Sequence, residues 1–170
     1  MEEAISNFDI IKKLKGNTRL LFYEDLNNIP SIIPLLDKGS LVILYKSKPD
    51  YGHWTAIINT PEGIEYFDSY GDKPEGAKKN VNRKFLMNTN QYQNQLAKLL
   101  YDASLQIPIH FNNHRLQKVS KQISTCGKHV VMRILNRHLT IDQYNKELRD
   151  LAKMNKLTID ELVNLLYANV

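Results

Sequence analysis

The stretch from Leu41 to Asp68 most constrains the fold. Leu41-Val42-Ile43-Leu44-Tyr45 is a continuous apolar run with β-branched residues, the pattern of a buried strand. His53 to Asn59 is a second strand, Thr60-Pro61-Glu62-Gly63 a turn, and Ile64 to Asp68 the returning strand. This hairpin demands a sheet, and the flanking segments supply helices to cover it. Ser6 to Leu14 predicts a short amphipathic helix with Phe8, Ile11 and Leu14 on one side and a stop at Gly16. Leu20 to Tyr23 predicts a short strand, and Glu24 to Asn28 a turn of helix. Gln91 to Leu105 reads as a helix, and Ile107 to Phe111 as a strand near a sheet edge, because Pro108 cannot donate a ladder bond. A helix follows from the cysteine at 126 to about Arg137, and capping boxes at Thr140-Ile141-Asp142-Gln143 and Thr158-Ile159-Asp160-Glu161 open two more. Asp72 to Lys84 is polar and reads as an exposed loop. The order argues an α+β class, a mixed β-sheet packed between helices.

At 170 residues the chain predicts a single domain over 1–170 with a core that needs no staples. One cysteine allows no internal disulfide, which suits a reducing compartment and rules out paired CxxC zinc knuckles. No apolar run approaches a membrane span, and the acidic Met1-Glu2-Glu3 start does not read as a secretory signal. The net charge of +5 permits weak attraction to nucleic acid without defining a binding domain.

The candidate chemistry lies in Ser124-Thr125-Cys126-Gly127-Lys128-His129-Val130. Ser124 and Thr125 favour helix N-caps, and Val130, Val131, Ile134 and Leu135 recur at helical spacing. Cys126 therefore falls in a first helical turn, where free N–H groups and the helix dipole favour a thiolate. A small buried apolar residue is the competing role. A cysteine nucleophile needs a base and a group that orients it. His53 begins one hairpin strand and Asp68 ends the other, so the open ends bring them together. A carboxylate there would fix the tautomer of the imidazole and stabilise its cation. Singly, each has a plain role, His53 as a solvent-facing strand start and Asp68 as a turn residue.

His129, three positions after Cys126, is a weaker candidate base. His110 and His114 read as surface residues, and His138 suits a helix C-terminus. An oxyanion could take the Cys126 N–H and a side-chain amide from the preceding loop. Gln117, held behind the apolar Leu116, ranks ahead of Gln122 as that amide. Trp54 is either a wall of a substrate cleft or a half-buried strand aromatic.

The ordered set Gly52-His53-Trp54, Phe67-Asp68-Ser69-Tyr70-Gly71, a loop Gln and Thr125-Cys126-Gly127 resembles the cysteine protease clan of adenain and the SUMO- and ubiquitin-like-protein-specific proteases. It is most similar to the compact proteases of virophages (mavirus-type) and polinton-type elements. The resemblance spans roughly Phe22 to Arg137. It implies an adenain-like fold with the nucleophile at the N-terminus of a central helix. By it, His53 is the general base, Asp68 its orienting acid, Cys126 the nucleophile and the loop Gln the oxyanion donor. Family members place this Gln at a spacing from the cysteine between those of Gln117 and Gln122. The implied activity is a cysteine endopeptidase cutting capsid or other virion precursors after small residues or glycine, in virions and infected cells. A protease acting on ubiquitin-type host conjugates is the alternative, and a non-catalytic basic binding module stands outside both. The resemblance implies no metal and no required cofactor, a monomer acting on protein substrates, and no membrane contact. Stimulation by DNA, or weak non-specific DNA binding, would fall to Lys78-Lys79 and Arg83-Lys84. A solvated charged loop is the other reading of those residues.

Overall fold

The computed structural model describes residues 4–120 and 124–170. It is an α+β protein built on one five-stranded mixed sheet in the order β1-β2-β3-β4-β5. The strands are β1 Arg19–Phe22, β2 Ser40–Lys48, β3 Tyr51–Thr60, β4 Gly63–Phe67 and β5 Ile109–Phe111. The two central pairings, β2 with β3 and β3 with β4, are antiparallel, whereas β1 on β2 and β5 on β4 are parallel. The helices are α1 Asn7–Leu14, α2 Arg83–Asn88, α3 Gln95–Ser104, α4 Cys126–Leu135, α5 Ile141–Asn155 and α6 Ile159–Ala168.

The unbroken apolar run of β2 follows from its place in the middle layer, because successive side chains enter opposite faces. Leu41, Ile43 and Tyr45 pack with Leu96, Leu99 and Leu100 of α3 and with Tyr23 and Leu26 of a 3-10 turn. Val42, with Trp54, Ala56 and Ile58 of β3, packs on the other side against Val130, Val131 and Ile134 of α4. Helices α1, α5 and α6 complete that second layer, which makes α4 the central helix of its face.

Three expectations need correction. On α1 the buried pair is Ile10 and Leu14, while Phe8 is 78% exposed. The spacing of Phe8, Ile11 and Leu14 is helical but marks the wrong edge of the stripe. Helix α3 begins at Gln95, not Gln91. Gln91 is buried and extends the ladder at the end of β2, accepting from the Lys46 N–H at 2.9 Å and donating to its carbonyl at 3.1 Å. The segment from Asp72 to Lys84 is not simply an exposed loop. Lys78 is buried, ion-paired with Glu75 at 3.1 Å and donating to the Tyr23 hydroxyl and the Gln91 and Gln93 carbonyls. Lys79 pairs with Asp72, and Arg83 donates to the Tyr92 hydroxyl. Of this basic run only Lys78 is buried, whereas Lys79, Arg83 and Lys84 are exposed.

Candidate active site

The hairpin brings His53 and Asp68 together at its open end. The last paired rung is Ala56 with Phe67, so the two strands diverge beyond it into the site. There the His53 Nε2–H donates to Asp68 Oδ1 at 2.9 Å. Asp68 is fully buried, and the same oxygen accepts the Tyr70 N–H at 2.8 Å. Continuing the register places Tyr70 opposite His53, and their rings stack with centroids 4.9 Å apart and planes 15° from parallel. Tyr70 is a site residue that sequence reasoning missed, although the hairpin register carried the signal.

Helix α4 brings Cys126 to the same cleft as the imidazole. With Nε2 committed to Asp68, Nδ1 is the nitrogen left to face the thiol, and His53 is near enough to lower the Cys126 pKa. Burial works to raise the Cys126 pKa. The His53 cation and the Trp54 and Gly127 N–H groups outweigh it and hold the thiol below its ordinary range. Burial likewise opposes the charged form of His53, but Asp68 and the Cys126 sulfur overcome it and raise its pKa to about 10. Both shifts favour a thiolate–imidazolium pair, with the imidazole held by a buried carboxylate.

Gly127 makes this approach feasible. A Cβ there would lie 2.6 Å from Ile5 Cγ1 and 3.1 Å from Trp54 Cδ1, so any larger residue would displace Ile5 and press on Trp54 of β3. Trp54 is 7% exposed, so it is buried in the core and not half-buried, and it also lines a cleft beside Cys126.

The N-terminus of α4 departs from expectation. Thr125 occupies the cap position, yet its side chain does not cap the helix. Its hydroxyl donates instead to Asp160 Oδ1 of α6 at 2.7 Å. The first N–H groups of α4 are therefore left without a side-chain cap, beside the reactive sulfur. His129 is not a base for Cys126. It is fully buried and turns into the α4–α6 interface, where Nε2 meets Asp160 at 2.9 Å.

Gln117 is buried and shares a cleft wall with His53 and Cys126. The Ser69 hydroxyl donates to its Oε1 at 2.6 Å, and the Ser69 carbonyl accepts the Leu116 and Gln117 N–H groups, each at 2.9 Å. With its oxygen committed, the amide presents Nε2 as a donor. Gln122 lies outside the described residues. His110 bonds the Glu62 carbonyl, His114 pairs with Asp142, and His138 is exposed, so all three lie away from the cysteine. Among the described residues no cluster of His, Cys, Asp and Glu could hold a metal ion, and no helix is long and apolar enough to cross a membrane.

The fold and site define an α+β protein with a buried Cys–His–Asp cluster at the N-terminus of a sheet-packed helix. No protein-family model matches the chain. It is 34% identical over 167 residues to uncharacterized protein V9 of Sputnik virophage, with 96% of this chain and 93% of that protein covered. The chain belongs to the family of that virophage protein, which places it in a virus-related context.

Proposed function

We propose that the chain is a cysteine endopeptidase of adenain-like fold that cleaves virion precursor proteins. The observation that carries this reading is the His53–Asp68 hydrogen bond on the cleft that Cys126 also lines, with the sulfur at a helix N-terminus. A thiolate paired with an imidazolium is the resting state such chemistry needs. The Cys126 thiolate attacks the scissile carbonyl, forming a C–S bond and a tetrahedral oxyanion. The Cys126 N–H and Gln117 Nε2 accommodate that oxyanion. His53 gives its proton to the departing amine as the C–N bond breaks, leaving a thioester. His53 then takes a proton from water, whose oxygen displaces the sulfur and releases the acid. Membership of a virophage protein family gives a virus-related context, and a virion precursor is the substrate we propose within it.

The test is incubation of the purified protein with virion precursors carrying glycine-rich junctions and, in parallel, with ubiquitin-type conjugates. The precursors are expected to be cut, and Cys126→Ala to abolish cutting. Cutting of the conjugates alone would transfer the assignment to host-conjugate removal. Undiminished cutting by Cys126→Ala would contradict the mechanism.

A further inference from the structure

Cys126 stands where two clefts meet. The ridge between them is Tyr51 and Gly52, which line both. One arm, about 420 Å³, is walled by Ile5, Leu44 and Trp54. The other, about 570 Å³, contains His53, Tyr70, Gln117 and Arg115. His53 lines the second arm and not the first. In acyl transfer the protonated base must reach the leaving amine. That requirement gives the cleft a direction.

Resting on the proteolytic reading above, we infer that the acyl part of the substrate lies in the Ile5–Leu44–Trp54 arm, the leaving amine part lies in the His53–Tyr70 arm, and Arg115 there selects an acidic side chain on the leaving side. The charge balance of the second arm supports this. Lys79 and Asp72, which also line it, pair with each other at 3.2 Å. Arg115 is exposed, and the one bond it makes through a described neighbour uses its carbonyl, which accepts from Arg149. Among the described residues its guanidinium faces no carboxylate, so it is the uncompensated charge of that wall. The acyl arm differs in kind: its apolar walls include Ile5, which lies against Gly127 and narrows the passage next to the sulfur. A guanidinium on a cleft wall favours a carboxylate and disfavours an ammonium through the same Coulomb term, screened by salt.

The experiment digests a proteome-derived peptide library with the full chain and reads both sides of every cut by mass spectrometry. Asp and Glu should be enriched over Lys and Arg by about two- to ten-fold within the first three leaving-side positions at low salt, as for an exposed ion pair. The enrichment should shrink at high salt and disappear in Arg115→Gln. Acid enrichment on the acyl side would overturn the direction. No charge preference, or one that survives Arg115→Gln, would overturn the role of Arg115 while leaving the proteolytic reading intact. Absence of any cutting by the unaltered chain defeats the proteolytic reading itself, and this inference with it.

Discussion

Two histidine–aspartate pairs flank the single cysteine, and both close at 2.9 Å through Nε2. Their settings separate them. His53 is partly open to a cleft, stacks on Tyr70 and lowers the pKa of Cys126. His129 is sealed from solvent, and its partner Asp160 also accepts from the Thr125 hydroxyl and the Lys118 N–H. Burial tends to raise the Asp160 pKa, but His129, Thr125 and the Lys118 N–H together hold it below the usual carboxylate range. One pair thus lies beside the cysteine. The other ties the start of α4 and the preceding loop to α6. Proximity to a cysteine in sequence says little about which histidine serves it: His129 is nearer along the chain, and His53 is the one in contact.

Cutting each pair at its carboxylate should separate the roles. Asp68→Ala is expected to lower the turnover rate on the order of 10²- to 10⁴-fold, since the imidazole loses its orienting partner. Some stability should be lost with it, because the buried site also leaves the Tyr70 N–H without its acceptor, but activity should fall further. Asp160→Asn reverses that pattern. It disturbs the acceptor for three donors, two of them buried, and a loss of about 2–4 kcal/mol follows from partners left unsatisfied. For a chain of this size that corresponds to a melting point lower by roughly 5–12 °C. The deficit should depend on pH in a defined direction. A carboxyl whose pKa is lowered on folding stabilises the fold above its unfolded value and loses that contribution as the pH falls through the folded one. The gap in melting temperature between the wild type and Asp160→Asn should therefore close on acidification below the ordinary carboxylate range. A gap independent of pH would show that Asp160 acts only by shape.

A smaller effect is expected at Gln117. If its amide is the second oxyanion donor, Gln117→Ala should reduce kcat by about 10²-fold, near the lower end for loss of such a donor, with KM largely retained. Ser69→Ala, which frees the amide without removing it, should cost less than Gln117→Ala. Equal losses from the two variants would mean that Gln117 matters only as a strut for the loop.

Much of this site is legible in the sequence because its signals are local. The Thr60–Gly63 turn and the alternating strands set the hairpin, and the hairpin sets His53 beside Asp68. The capping boxes at Thr140 and Thr158 form as their spacing dictates. What escapes the sequence depends on contacts between distant segments. Asp160 reads as a first-turn acid of α6, yet its carboxylate reaches Thr125 across the helix interface. Lys78 reads as part of a solvated basic run, yet it is drawn inward by Glu75 and the carbonyls of Gln91 and Gln93. On α1 the helical period is plain, but only the tertiary packing decides that Ile10 faces inward and Phe8 outward.

The central claim is that His53 holds Cys126 as a thiolate. It is tested most directly by the rate of Cys126 alkylation by iodoacetamide as a function of pH, in the unaltered chain and in His53→Ala. The unaltered chain should titrate below the ordinary thiol range, with its ion pair maintained until His53 deprotonates near pH 10. In His53→Ala, where burial acts without the opposing cation, the profile should move up to or beyond the ordinary thiol range. A thiol in the unaltered chain that titrates in the ordinary range, with a profile indifferent to His53→Ala, would contradict the account.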